Sequence, residues 1–347
     1  MKIALIAPLY ESVPPVLYGG TERVVYNLTE ELVAMGHNVT LFASGDSHTN
    51  AKLIPIVEKS LRLDENSIDP IAPHILMLEK VFQMAKEFDL IHFHIDHLQL
   101  PLARRGPEAV VSTFHGRLDI PDLIPLYQEF QDLPFTSISN SQREPMRWLN
   151  WQGTVYHGLN PEAFRFRSKP GGYLAFLGRI CEDKGIEQAI MIAKKFGMKL
   201  KVAAKVSDAD QKFYEENIAP LMEDPLVEFI GEINEEQKDD FLGNAYATLF
   251  PIAWPEPFGI VMIESMACGT PLIAFPHGSV PEVMTDGQSG YIVTNVDEAV
   301  AALEKLRSFD RELCRKVFQE RFTSRRMAAD YVKIYERLVK NAKQTAA

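Results

Sequence analysis

The chain has 347 residues, 46% of them hydrophobic and 24% charged, with a formal net charge of −11. That is an ordinary globular composition, long enough for two domains or one large α/β domain, because single cores stop growing near roughly 250–300 residues. The negative balance argues against a nucleic-acid-binding surface, which would carry a basic field, but leaves room for a local basic pocket for phosphate.

In chain order, Met1–Pro8 is broken by proline too early to form the apolar core of a signal peptide. Ile3–Ala7 within it predicts a buried parallel strand. Glu22–Met35 predicts a helix with Val24, Val25, Leu28, Leu32 and Val33 on one stripe, stopped by Gly36. Strands follow at Asn38–Phe42, Leu90–His94, Ala109–Phe114 and Thr136–Ser139. The polar stretch Arg165–Gly172 reads as a connecting segment, and the rhythm then restarts. Tyr173–Leu177 is the next strand and Ile186–Phe196 the next helix. Further strands are expected at Lys199–Ala204, Val227–Ile230, Ala247–Phe250 and Pro271–Phe275. Met327–Val339 is an amphipathic helix with Ala328, Tyr331, Ile334, Tyr335 and Leu338 on its apolar face. This alternation implies α/β architecture with two doubly wound, Rossmann-like domains that bind ligands at the carboxyl ends of their strands. The expected boundaries are 1–166 for the first domain and 167–324 for the second, with the terminal helix at 325–347. Cys181, Cys268 and Cys314 are scattered and form no CxxC, which fits a reducing cytosol rather than a disulfide framework. No run of about 18 apolar residues occurs. The expected location is therefore cytoplasmic, with peripheral contact at the inner face of a membrane left open.

Three stretches carry chemistry. In Pro251–Gly269 a strand ends, Trp254-Pro-Glu-Pro257 cannot continue it, and a helix opens near Phe258-Gly259 and stops at Gly269. The N–H groups near Phe258, Gly259 and Ile260 then sit at a positive helix end suited to an anion. Glu264 lies about 6 Å along the axis from Ile260, and its side chain leans back towards that end. Glu256 and Glu264 would thus flank an anion site, which suggests a ligand with both phosphates and hydroxyls, such as a nucleotide sugar. The alternative makes Glu256 a solvated loop charge and Glu264 a charge on the helix surface. In Phe176–Gly185, Gly178 and Arg179 turn out of a strand and Lys184-Gly185 open a helix, so Arg179 and Lys184 occupy the loop where Rossmann folds hold pyrophosphate. Two solvated surface cations are the alternative. Finally, Gly19-Gly20 opens the first domain's first helix and permits close backbone approach, a second anion-friendly place.

Taken together, Tyr18-Gly19-Gly20, Gly178-Arg179 with Lys184-Gly185, Phe229–Glu232, Glu256–Glu264, Ala267–Pro271 and Gly278–Glu282 resemble the retaining glycosyltransferases of the GT-B fold, family 4. The resemblance covers nearly the whole chain. It implies two Rossmann-like domains facing across a cleft that closes on the substrate, and a final helix that crosses back to the first domain. It implies that Arg179 and Lys184 grip the donor diphosphate, that Glu264 binds the ribose hydroxyls, and that Glu256 faces the donor sugar as the principal catalytic carboxylate. Phe258, Gly259 and Ile260 would offer N–H groups to sugar and phosphate, Gly19 and Gly20 would approach the phosphate, and Glu232 and Ile233 would belong to the loop against the base. His115 matches the family's active-site histidine, with His94 and Asp96 on the acceptor side. Lys205 is a candidate third phosphate or base contact, a plain strand-end lysine being the alternative. The implied reaction is transfer with retention from a nucleotide-diphosphate sugar, UDP-glucose by default, to a small-molecule, glycan or lipid hydroxyl. Neither cofactor nor metal is implied. Attack is expected from the front side of an ion-pair-like transition state, the leaving phosphate oxygen taking the acceptor's proton.

Some features point elsewhere. Asp208-Ala-Asp210 spells DxD, a metal motif in the other major glycosyltransferase fold, but reads here as a helix N-cap followed by a first-turn acid. His92, His94, Asp96 and His97 look like a metal cluster, yet acceptor contacts suit them better. Trp148 and Trp151 read as packing residues. Tyr156-His157-Gly158-Leu159-Asn160 departs from the family's Pro-Asn-Gly-Val-Asp, which affects the acceptor side more than the donor side. A nicotinamide dehydrogenase would need the GxGxxG fingerprint and an acid about 20 residues on, and lacks them. A GT-B nucleotide-sugar epimerase or a non-catalytic sugar-nucleotide-binding protein stands as the alternative function.

Overall fold

The structure is a computed structural model that describes residues 1–106 and 108–345, with only the backbone described for Thr345. Residues 346 and 347 of the expected terminal helix lie outside the described residues. Contacts divide the chain into two compact units, Met1–Gly158 with the segment from Ser324 onward, and Leu159–Thr323.

The first unit is built on a seven-stranded parallel sheet of order β3-β2-β1-β4-β5-β6-β7. Its strands are β1 (Lys2–Ile6), β2 (Asn38–Ala43), β3 (Lys52–Pro55), β4 (Leu90–Phe93), β5 (Val110–Thr113), β6 (Phe135–Ser137) and β7 (Trp151–Thr154). The order reverses between β1 and β4, which pair directly, so the ligand-binding end of this unit is where those two strands stop. The loop to Gly19-Gly20 leaves β1, His94 and Asp96 follow β4, and His115 follows β5. Helix α1 (Gly20–Ala34) buries Val24, Val25, Leu28 and Leu32 of the expected stripe, while Val33 is half-buried. Helix α2 (Ile71–Gln83) was not legible as an amphipath, because it is apolar on two faces. His74, Met77, Leu78 and Val81 are buried, while Ile71, Ile75 and Leu76 are about half exposed.

The C-terminal helix, Ser324–Thr345, completes this unit. Met327, Ala328, Tyr331, Ile334 and Tyr335 are buried, as an apolar stripe at helical spacing requires, while Leu338 of the expected face is half-buried. At its start Ser324 donates to Glu31 Oε1 at 2.6 Å, and Arg326 donates to the carbonyls of Tyr156 and His157 at 2.8 Å each. The Tyr335 hydroxyl shares a 2.7 Å hydrogen bond with Nδ1 of the fully buried His92, whose Nε2 bonds Thr113 Oγ1, also at 2.7 Å. His92 is therefore committed to packing. Of the tryptophans read as packing residues, Trp151 lies against the core and donates to the Met146 carbonyl, while Trp148 is 39% exposed.

The second unit has a six-stranded parallel sheet, β10-β9-β8-β11-β12-β13. Its strands are β8 (Leu174–Arg179), β9 (Leu200–Lys205), β10 (Val227–Gly231), β11 (Ala247–Phe250), β12 (Leu272–Ala274) and β13 (Gly290–Ile292). Four of its helices matter here: α3 (Ile186–Phe196), α4 (Glu235–Gly243), α5 (Ile260–Cys268) and α6 (Arg311–Arg321). The order reverses between β8 and β11, which brings the loops carrying Arg179 and Glu256 to one crevice. Gly178 and Arg179, expected in a turn, are the last residues of β8. The strand continues because β9 runs alongside as far as Lys205, which is the register partner of Arg179.

The Arg165–Gly172 stretch lies inside the second unit. Phe164 is buried, the Arg165 N–H donates to Asp239 Oδ1 at 2.7 Å, and Arg167 forks onto the same carboxylate. The chain passes between units at Gly158/Leu159 and again at Thr323/Ser324, where Leu159 N–H donates to the Phe322 carbonyl at 2.9 Å and Leu159 bridges Thr323. No helix among the described residues is long and apolar enough to cross a membrane.

Burial pushes the His92 imidazole well below its usual value, and repulsion from His115 adds to the shift. A histidine held neutral in the fold but free to protonate when unfolded draws protons into the unfolded chain below about pH 6.5. Its contribution is fully present above about pH 7 and lost on acidification, at about 2 kcal/mol per such histidine by pH 5. Thermal midpoints should fall between pH 7 and 5, and His92→Gln should flatten that fall. An unchanged slope would show that His92 titrates freely in the folded protein.

Candidate active site

The second unit assembles its site from three loops that leave no space between them. Gly185 (φ 70°) lies so close to the loop after β11 that a Cβ there would stand 1.9 Å from the Pro251 carbonyl oxygen. At Gly278 (φ 57°) a Cβ would stand 2.3 Å from the backbone nitrogen of Glu256. Both positions need a left-handed backbone and no side chain. Ala253 N–H donates to the Asp183 carbonyl at 2.9 Å, and Ser279 N–H to the Glu256 carbonyl at 2.9 Å. Pro255 and Pro257 fix φ on either side of Glu256. The carboxylate is thus held by segments around residues 183–185, 251–257 and 278–279.

Glu256 is 8% exposed, not a solvated loop charge. Its Oε2 receives the Lys184 ammonium and, at 2.9 Å, the Trp254 indole N–H. Lys184 Nζ also lies over the Trp254 ring, 5.2 Å from its centroid. Glu264, inside α5, is 2% exposed and accepts from Lys238 Nζ at 2.9 Å. Lys238 is set by α4, whose first turn is closed by a reciprocal capping box between Asn234 and Gln237. Buried carboxylates persist when paired in this way, because an unpaired one would lose its hydration uncompensated. Phe258 is buried, Gly259 immediately precedes α5 and Ile260 opens it, so all three sit at the helix end expected for them. Ser279 Oγ donates to the Phe258 carbonyl at 2.9 Å.

At the end of β8, Arg179 Nε lies 3.3 Å from Asp210 Oδ2, and Lys205 is its neighbour across the strands. The N-cap reading of Asp208 is corrected, because Ser207 precedes the 3-10 turn Asp208–Asp210; Asp210 lies in that first turn as expected, and its carboxylate takes Arg179 and Ser207 Oγ. Among the described residues no group of three His, Cys, Asp or Glu is arranged to hold a metal ion. Glu232 is exposed and Ile233 is buried beyond the end of β10, so the Ile233 side chain faces the interior.

In the first unit, Gly19 precedes α1 and Gly20 begins it; a Cβ at Gly19 would meet Pro15 at 2.7 Å. Buried His94 shares a 2.8 Å hydrogen bond from Nδ1 to His115 Nε2, and His115 stacks on His157 with ring centroids 5.3 Å apart. Gln142 fixes the backbone around His115 by donating to the carbonyls of Phe114 and Gly116 at 3.0 and 2.8 Å. Burial, with mutual repulsion for two of them, holds all three imidazoles neutral: His115 is pushed down to about 3, and His94 and His157 well below their usual value. Asp96 is exposed, with a left-handed φ of 57° uncommon for a residue with a side chain. His92 and His94 stay in contact, their ring centroids 4.0 Å apart, while His97 packs edge-on to Tyr127.

Sequence reasoning missed the partners Trp254, Lys238 and Asp210, and gave His157 no role. Trp254 had a usable signal, an aromatic with a polar edge two residues from a carboxylate in a proline-fixed loop. Lys238 had none, since only the tertiary fold brings α4 to α5.

A family model described as Glycosyl transferases group 1 matches residues 162–319, and one described as Glycosyltransferase Family 4 matches residues 18–158. N-acetyl-alpha-D-glucosaminyl L-malate synthase of Bacillus anthracis is 25% identical, the match covering 99% of each chain. Among solved structures, sucrose-phosphate synthase from Thermosynechococcus elongatus superposes with a TM-score of 0.80 at 19% identity, covering 98% of this chain and 100% of that one. An Anabaena protein solved in complex with UDP and glucose gives 0.72 at 16% identity, covering 96% and 98%. These likenesses do not favour the epimerase or the non-catalytic alternative. With a family model on each unit and this fold throughout, the chain belongs to the group 1, family 4 glycosyltransferases and has the GT-B fold.

Proposed function

We propose that this glycosyltransferase moves a hexose from a nucleoside-diphosphate sugar, with UDP-glucose the first donor to test, to a hydroxyl acceptor, with retention and without a metal. The observation that carries the proposal is the meeting of Lys184 with buried Glu256 just ahead of α5, with Glu264 on the same helix. Cations for a diphosphate and carboxylates for hydroxyls lie at one end of one sheet. The likeness to a protein solved with UDP and glucose favours a uridine donor.

During transfer the bond from the anomeric carbon to the diphosphate oxygen breaks, and one from the acceptor oxygen to that carbon forms. The acceptor's proton passes to the departing phosphate oxygen. Negative charge growing on the diphosphate is met by Arg179, Lys184, Lys205 and the start of α5, while Glu256 faces the positive sugar ring. Glu264 takes the ribose hydroxyls, the backbone near Glu232 and Ile233 takes the base, and Gly19-Gly20 offers N–H groups to phosphate. His115, oriented by His94 and held neutral, serves as a hydrogen-bonding group on the acceptor side together with Asp96. The acceptor itself is a small molecule, a glycan or a lipid.

Wild-type protein with UDP-, GDP- and ADP-sugars, in buffer containing a chelator, should turn over at least one donor. Glu256→Gln should then lower kcat by about 100-fold or more, equivalent to about 2.7 kcal/mol of barrier, with UDP affinity kept within a few-fold. A kcat within tenfold of wild type would remove Glu256 from the chemistry. Arg179→Ala and Lys184→Ala should each weaken UDP binding by calorimetry. Because both hold one diphosphate, the double variant should lose less than the sum of the two in free energy. Unchanged UDP affinity in both single variants would contradict the assigned diphosphate site.

A further inference from the structure

A carboxylate offers two oxygens and about four acceptor directions, so which oxygen is occupied decides which one is offered to a ligand. Both protein donors on Glu256, the Lys184 ammonium and the Trp254 indole N–H, converge on Oε2. Among the described residues Oε1 has no hydrogen-bond partner, and it is not among the polar atoms sealed from solvent.

The two donors differ in kind. Lys184 is a flexible ammonium with three N–H groups, able to turn towards a diphosphate. Trp254 is a rigid donor two residues from its acceptor, its carbonyl accepting from the Glu256 N–H at 2.8 Å, and Pro255 and Pro257 restrict the chain between and beyond them. Its ring also carries Lys184 on its face, 5.2 Å away. When Lys184 engages an anion, the indole is what keeps the carboxylate from following it.

We propose that Trp254 is a positioning residue for Glu256: its indole N–H pins Oε2 so that Oε1 is presented to a hydroxyl of the bound sugar. The identity of that hydroxyl-bearing ligand rests on the donor-site proposal above; the pinning of the carboxylate does not.

Trp254→Phe keeps an aromatic ring for Lys184, smaller than the indole, and removes the N–H. It should lower kcat about tenfold while KM for the donor and Kd for UDP stay within about twofold. In a Glu256→Gln background the same change should cost less than twofold, because the charge-assisted bond is already gone. A residue that merely filled the loop would cost the same in both backgrounds or lose UDP affinity in step with kcat, and either result overturns the proposal. The bond is read separately from activity by the indole N–H signals of the chain's three tryptophans, that of Trp254 being the one lost in Trp254→Phe. It should lie downfield and move upfield in Glu256→Gln. If no UDP-, GDP- or ADP-sugar is turned over by the wild type, the donor-site proposal fails and the indole signal alone decides. A shift then upholds the pinning, and an unmoved signal overturns it.

Discussion

The second unit depends on one crowded carboxylate. Glu256 is buried where three loops meet, at a spacing that excludes even a methyl group on Gly278 or Gly185. A charge in that position has lost much of its hydration, and removing one partner of such a buried pair costs roughly 3–5 kcal/mol. Lys184 and Trp254 therefore do more than decorate the site. They make the ionised glutamate tolerable, and through it fix where the loop after β11 and the start of α5 can lie.

The same logic recurs at the neighbouring charges. Glu264 would be an uncompensated anion inside an apolar helix without Lys238, and Arg179 at the strand end is matched by Asp210. Glu264, Arg179 and Glu256 each have a counter-charge supplied by a different element: α4 for Glu264, the turn after β9 for Arg179, the turn after β8 for Glu256. A diphosphate entering here would compete with carboxylates for Arg179 and Lys184, so its affinity is a difference between two sets of ion pairs. In the first unit the histidines at the corresponding end are uncharged. His94, His115 and His157 are kept neutral by burial, which suits hydrogen bonding to hydroxyls rather than charge stabilisation.

What the sequence reveals follows from locality. Parallel strands read as apolar runs, and α3, α5 and the C-terminal stripe read as helices, because burial pattern and chain breakers lie within a few residues of one another. Gly178-Arg179 read as a turn because the strand is prolonged by a neighbour 26 positions on in the register, Lys205 beside Arg179, and not by any local preference. β3, β7 and β13 are short strands beyond the reach of periodicity, and α2 hides its helical period by being apolar on two faces. The charged site residues were legible as a constellation. Their counter-ions were not, since Lys238–Glu264 and Arg179–Asp210 exist only once helices and strand ends have been brought together. His92 shows the converse. It stands in a local run of histidines, yet both its ring nitrogens are taken up by Tyr335 and Thr113.

The central claim is that the crevice between β8 and β11 receives a nucleoside-diphosphate sugar with its phosphates on Arg179 and Lys184 and its sugar on Glu256. The most direct measurement is a crystal structure with the nucleotide sugar that most raises the melting temperature. The account predicts the diphosphate within hydrogen-bond distance of Arg179 and Lys184, and a sugar hydroxyl on Glu256 Oε1 while Trp254 still holds Oε2. A nucleotide sugar bound away from these residues, or a Glu256 turned from the sugar towards solvent, would contradict it.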